Sequence, residues 1–190
     1  MAAREAIAGG FAALYPILKA MEETGRARRG YFVEGLGGAQ FACAGADDML
    51  RCETADQNEK PLVLAANDPA NAYGAALPWP THNTHEKTIQ PSDTNRPQRA
   101  AAALVILSGG KLLGYLNKTR TKLTTFLATE DPDRTRQKRL LASALAQRAK
   151  DRFSILIEQI DGSSPEKSSL SESLAAEGFK VTSGGYVHRG

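Results

Sequence analysis

Residues 101–116, AAALVILSGGKLLGYL, constrain the fold more than any other stretch. Two apolar runs flank Ser108, Gly109 and Gly110. Runs of that length around a Gly-Gly pair read as a β-hairpin, because glycine reaches the positive φ that tight hairpin turns need. A hairpin this apolar needs other layers to cover it, and the flanking sequence offers them. TKLTTFL reads as a third strand after a turn at 119–121. Residues 131–149 read as a helix opened by Asp131-Pro132, with Leu140, Leu141, Ala144, Leu145 and Arg148 along one side. FSILIEQI adds a strand ended by Asp161-Gly162, and residues 170–177 add a helix stopped by Gly178. KVTSGGYVHR reads as a last strand or hairpin, and PLVLAA, further upstream, as a compact buried strand. Meandering antiparallel strands with two helices make this part α+β.

The beginning of the chain is organised differently. Phe11, Leu14, Leu18 and Met21 recur at three- and four-residue steps, with Ile17 beside them. FAALYPILKAMEE therefore reads as an amphipathic helix over 12–24 whose apolar face is core. Pro16 fits if the helix starts near Ala12 or Ala13, since first-turn donors have no intrahelical acceptor. Gly25 supplies the stop. Residues 28–35 and 39–43 then read as two strands joined across Gly37-Gly38, and GADDMLR as a short helical piece. An amphipathic helix followed by a basic hairpin is the order of the second half of a winged helix-turn-helix domain, with the hairpin as wing. Too little sequence precedes for the first helix of such a domain, so the chain is expected to be a fragment that begins mid-domain. The expected organisation is a partial winged helix over 1–52 and an α+β module over 53–190. A mobile loop is expected at about 81–99, where THNTHEKTIQPSDTNRPQ is polar and punctuated by proline.

Charge marks two candidate surfaces. The 190-residue chain carries a net charge of only +3, yet residues 118–152 hold ten basic residues against four acidic ones. Such a field attracts phosphate, and it equally fits a solvated helix face. In the hairpin, Arg26, Arg28 and Arg29 stand where wings reach phosphates, with Tyr31 and Phe41 as aromatics able to stack on bases. Further on, Lys118, Arg120 and Lys122 alternate with threonines, and strand periodicity puts all three on one face. For each group the alternative is a solvated cation, and for the aromatics a place in the hairpin's own core.

Other combinations carry less chemistry. Cys43 and Cys52 are nine apart, too far for the usual zinc spacing with His82 and His85, and two cysteines make no disulfide framework. NDPANAYGAALPWP invites an active-site reading, and Asp68 and Asp161 are the carboxylates a base-excising enzyme would use. The structural alternative, which the residues favour, has Asp68 capping a turn with Tyr73 and Trp79 anchoring the loop. No run approaches the roughly 18 apolar residues of a membrane span. No secretory signal is recognisable either, so a cytoplasmic location is expected.

RRGYFVEGLGGAQFA, LAANDPANAYGAALPWP, AAALVILSGGKLLGYL and AEGFKVTSGGYVHR together resemble the C-terminal end of bacterial large helicase-related (Lhr) proteins, the DEAD/DEAH-box helicase-associated region. The resemblance covers nearly the whole chain apart from residues 81–97. It implies a parent ATP-dependent, 3′-to-5′ DNA helicase acting in DNA repair, with ATP and magnesium bound in motor domains far upstream. This chain has no G-x-x-x-x-G-K-[ST] and no acidic DExH-type box, so it is expected to need no cofactor of its own. Its expected partners are DNA, through backbone phosphates, and the upstream domains of the parent, with no membrane. The resemblance also implies winged-helix arrays like those of a DNA glycosylase family, with an aspartate near the C-terminus implicated in uracil excision. Here the last aspartate is Asp161 and the tail YVHRG has none, so no catalytic residue is carried over.

Overall fold

The computed structural model describes residues 8–33, 38–52, 60–80, 96–152 and 154–190. Most of the loop expected at 81–99 lies outside these residues, as do Gly37, His82 and His85. The chain divides into two compact units, Met1–Gln57 with Ala75–Leu77, and Asn58–Gly74 with Pro78–Gly190.

The first unit holds α1 (Gly10–Glu23), β1 (Ala27–Gly30), β2 (Gln40–Cys43) and α2 (Ala46–Cys52). α1 begins two residues earlier than expected, which leaves Pro16 inside it. Proline there deprives the Ala12 carbonyl of its helical donor. Both residues are exposed, where water can replace that donor. The helix ends in a Schellman motif. Gly25, at φ 72, donates to Glu22 O at 3.0 Å, and Arg26 N donates to Met21 O at 2.8 Å. This double closure feeds the chain directly into β1, which pairs antiparallel with β2 from Ala27↔Cys43 to Gly30↔Gln40.

The apolar stripe of α1 is not core, contrary to its sequence pattern. No residue of α1 is buried; Leu14, Leu18 and Met21 are half-buried and Phe11 is 40% exposed. Two short helices and a two-stranded ribbon give too little second layer to enclose such a stripe.

The second unit contains a five-stranded and a three-stranded sheet. The larger has the order β3 (Leu62–Ala65), β4 (Leu104–Ser108), β5 (Lys111–Leu116), β6 (Lys122–Thr125) and β8 (Gln159–Ile160). The smaller runs β7 (Ser154–Ile157), β10 (Gly185–Arg189), β9 (Lys180–Thr182). Gly109 and Gly110 at φ 53 and 71 form the two-residue turn of the central hairpin. Every residue of β4 is buried, which explains its unbroken apolar run. PLVLAA is an edge strand instead of a buried one, with Leu62 52% exposed. FSILIEQI, read as one strand, serves both sheets: β7 pairs with β10, and β8 lies parallel to β6.

Helix α3 (Asp133–Arg152) covers one side of this framework, with α4 (Ser171–Ala176) beside it. Leu141, Leu145 and Ala149 share a core with Ile106, Leu113, Leu123 and Leu174. Gly114 lets the helix come close, since a Cβ there would sit 2.8 Å from Leu141 Cδ1. Asp131 does cap α3: its Oδ1 accepts from Thr135 Oγ1 at 2.6 Å and Thr135 N at 3.1 Å. The Thr135 hydroxyl bond, chiefly, holds the Asp131 carboxyl below its ordinary value. A second cluster joins Val105, Leu107, Leu112 and Tyr115 to Tyr73, Trp79 and Phe126.

Candidate nucleic-acid interface

The basic ribbon of the first unit is partly tied to its own carboxylates. Arg28 donates from Nη1 to Asp47 Oδ2 at 2.6 Å, and Arg51 lies 3.9 Å from the same oxygen. Arg29 points the other way, with Nη1 3.4 Å from the Tyr15 hydroxyl and Nε 3.9 Å from Glu22. Both guanidinium groups stay exposed. Arg26 is exposed and pairs with no carboxylate among the described residues. The two aromatics separate: Phe41 is half-buried edge-on to Tyr15, whereas Tyr31 is 92% exposed. Behind Tyr31 the chain is clamped by Gln40, whose Oε1 accepts from Phe32 N and Val33 N at 2.9 Å each and whose Nε2 donates to Val33 O. Tyr31 is therefore displayed from a fixed backbone.

In the second unit, Lys118, Arg120 and Lys122 do not share a strand face. Only Lys122 is in β6; the others belong to a turn in which Arg120 N donates to Asn117 O and Asn117 N to Lys122 O. Asn117 organises the reversal: its buried Oδ1 accepts from Thr121 N, Lys122 N and Thr119 Oγ1 at 3.0–3.2 Å. Arg120 sits at φ 62 with Nε donating to Ala102 O at 3.1 Å. Lys118 is exposed and Lys122 half-buried.

The two aspartates considered for base excision both serve structure. Asp68 Oδ1 accepts from Ala70 N at 2.8 Å, closing a turn. Asp161, at φ 53, accepts from Thr125 N and Thr125 Oγ1, each at 2.7 Å. NDPANAYG is a scaffold loop. Asn71, 1% exposed, donates to Ala66 O and accepts from Tyr73 N, and the Tyr73 hydroxyl donates to Gly110 O. Trp79 stacks on Tyr73 and meets Tyr115 edge-on. The sequence reading missed Arg99, whose Nη1 reaches Asn71 O and Tyr73 O while Nη2 reaches Asn67 O and Asp68 O. Its acceptors lie 26 to 32 residues earlier, so no local pattern flags it.

Among the described residues no three His, Cys, Asp or Glu side chains gather where they could hold a metal, and no helix is long and apolar enough to cross a membrane.

A family model described as the winged-helix domain of the large helicase-related protein matches residues 1–62. An Lhr helicase/probable uracil glycosylase of Mycolicibacterium smegmatis is 44% identical over 163 residues, covering 83% of this chain and 10% of that protein. An Lhr helicase/uracil glycosylase of Escherichia coli is 44% identical over 131 residues, 67% of this chain and 8% of that protein. The chain thus spans about a tenth of the length of the curated relatives it matches.

Proposed function

We propose that this chain, which belongs to the large helicase-related (Lhr) family through that protein's C-terminal region, is a non-motor module that holds DNA for a helicase working in DNA repair in the cytoplasm. It binds DNA at the backbone phosphates and leaves ATP and magnesium to the motor, a division supported by the lack of a phosphate-cradling glycine motif in the sequence and of a cluster of metal-ligating side chains among the described residues. The observation that carries this reading is Tyr31, an aromatic ring exposed on a clamped backbone, beside a run of exposed arginines. The ion pairs of Arg28 and Arg29 do not stand in the way. Both guanidinium groups are more than half exposed, and although the Asp47 side chain is only 16% exposed, Arg51 also lies 3.9 Å from its Oδ2, so Asp47 keeps a cation nearby if Arg28 turns to a DNA phosphate. An arginine that gives one edge to Asp47 also keeps donors on its other edge.

Fluorescence anisotropy of a labelled oligonucleotide tests it. Tyr31→Ala is expected to weaken single-strand binding by roughly 1–3 kcal/mol, and Arg26→Ala to weaken all sequences alike. Equal affinity of both variants and the parent chain at low salt refutes the reading.

One observation favours a second reading, docking onto upstream domains of the parent. No residue of α1 is fully buried, and Ile17, Met49 and Leu50 are all more than half exposed. Unchanged DNA mobility, together with co-sedimentation with the upstream region that is lost in Ile17→Asp, would select it. Base excision is disfavoured, because Asp68 and Asp161 already hold turns.

A further inference from the structure

We propose that Gln40 is a positioning residue for DNA recognition: by fixing the backbone that carries Tyr31, it presents that ring to an unpaired base and sets the ribbon's preference for unpaired over paired DNA. The β1–β2 ladder ends at Gly30↔Gln40. Beyond that pair the Gln40 side chain takes the part of a strand backbone. Its Oε1 accepts from Phe32 N and Val33 N at 2.9 Å each, and its Nε2 donates to Val33 O at 3.0 Å. A side-chain amide carries the same kinds of donor and acceptor as a peptide group, so one glutamine can continue the ladder. A second restraint acts beside it. The Phe32 ring lies over Gly30, where a Cβ would come 3.1 Å from Phe32 Cζ and 3.3 Å from Cε2. Gly30 and Phe32 are half-buried, and Tyr31 between them is 92% exposed.

A segment leaving a two-stranded ribbon is ordinarily among the first to loosen, because its amides can turn to water. Here three hydrogen bonds and a ring packed on glycine hold it, and none of them uses the Tyr31 side chain. The Tyr31 ring has no hydrogen-bonding or ring partner among the described residues. What the restraint holds in place is therefore an aromatic face open to a ligand. Stacking on it freezes only two side-chain torsions, since the backbone is ordered beforehand. The chemistry of the ligand follows from the same ring. Bases inside a duplex already have both faces stacked, so a base must be unpaired or pulled from its stack before tyrosine can take its face. The neighbouring arginines contact phosphates, which paired and unpaired DNA both carry. Discrimination between the two thus lies with Tyr31, and its size with Gln40.

Gln40's role rests on the DNA-holding reading, and a double-mutant cycle with Tyr31 separates the two. Anisotropy titrations of a labelled single strand, and of the same strand in a duplex, compare the full chain with Gln40→Met, Tyr31→Ala and the double variant. Methionine is close to glutamine in length and equally uncharged, so the attraction of phosphates is unaltered. Gln40→Met is expected to weaken single-strand binding about fivefold, the cost of ordering roughly one residue, and duplex binding by less than about twofold. In the Tyr31→Ala background it is expected to change neither. Equal losses for both forms of DNA, or the same loss with and without the tyrosine, overturn the positioning role. So does full affinity in Gln40→Met where Tyr31→Ala weakens binding. Tyr31→Ala without effect also removes that role, and the DNA-holding reading falls with it only if Arg26→Ala is without effect too. Hydrogen exchange on the unsubstituted chain makes the test independent of how the variant folds. The Phe32 and Val33 amides are expected to be protected, and exchange at the rate of an unfolded peptide overturns the clamp.

Discussion

Removing the Arg99 guanidinium should loosen the loop that carries NDPANAYG, and the size of the effect follows from its four acceptors. Two terminal nitrogens serve the carbonyls of Asn67, Asp68, Asn71 and Tyr73 at 2.6–3.2 Å. Hydrogen bonds to a charged group contribute about 1.5–3 kcal/mol each. The four are not additive here, because each nitrogen is shared and the Asn67 contact is exposed. Water can also reach part of the loop after truncation. Arg99→Ala should therefore cost about 2–4 kcal/mol, close to what one or two fully lost charged bonds would give. At about 2–4 °C per kcal/mol for a chain of this size, the thermal midpoint should fall by about 4–16 °C. Arg99→Lys keeps the charge but not the fork, and should lose about half as much. The assay is urea unfolding followed by intrinsic fluorescence, since Trp79 is the single tryptophan and stacks on Tyr73 within the tethered loop. A loss below about 0.5 kcal/mol in Arg99→Ala, with unchanged Trp79 emission, would refute the tether.

Other consequences are as direct. Asp161→Ala should lose about 1.5–3 kcal/mol through its two bonds to Thr125, while Asp161→Asn, tolerant of φ 53, should lose less; equal losses in urea unfolding would contradict this assignment. Gly114→Ala places a methyl 2.8 Å from the buried Leu141 Cδ1 and should cost about 1–3 kcal/mol, with part recovered in Gly114→Ala/Leu141→Val. A neutral single variant would show that α3 has room to shift. Burial raises the Tyr115 phenol above its ordinary 10.0, against a smaller opposing effect of its Gln98 backbone bond. Its folded value exceeds its unfolded one, so the stability it contributes is complete below pH 10.0 and lost as pH rises through the higher folded value. Tyr115→Phe should remove a late phenolate absorbance step from a spectrophotometric titration, and an identical titration in that variant would be the contrary result.

The second unit was legible where periodicity and turn chemistry agreed. The Gly109-Gly110 turn, the two flanking strands and most of α3 follow from apolar runs bounded by glycine or Asp-Pro. The split of FSILIEQI was not legible, because β7 and β8 differ only in which neighbour each finds, and that is decided by residues far along the chain. A signal was available for the short 3₁₀ turn Pro165–Lys167, since Ser164-Pro165 is a helix-start pattern. Asn117 likewise gave notice that Lys118 and Arg120 lie in a turn, since asparagine closes such reversals with its side chain. The stripe of α1 shows the limit of amphipathicity: it reports that a face favours an apolar partner, not where that partner is. At the candidate interface, the basic residues were legible as charge, but their distribution among Asp47, Glu22, Tyr15 and solvent was not. Those pairings depend on how α1, α2 and the ribbon meet.

The salt dependence of DNA affinity is the most direct measure of whether this chain holds DNA by its phosphates. Titrating labelled duplex and single-stranded DNA between about 50 and 200 mM salt should give a linear fall of log affinity with log salt, each neutralised phosphate adding about 0.9 or 0.7 to the slope. Engagement of the ribbon's Arg26, Arg28 and Arg29 predicts a slope of roughly −2 to −3. A flat line, or no binding at the lowest salt, would contradict the account.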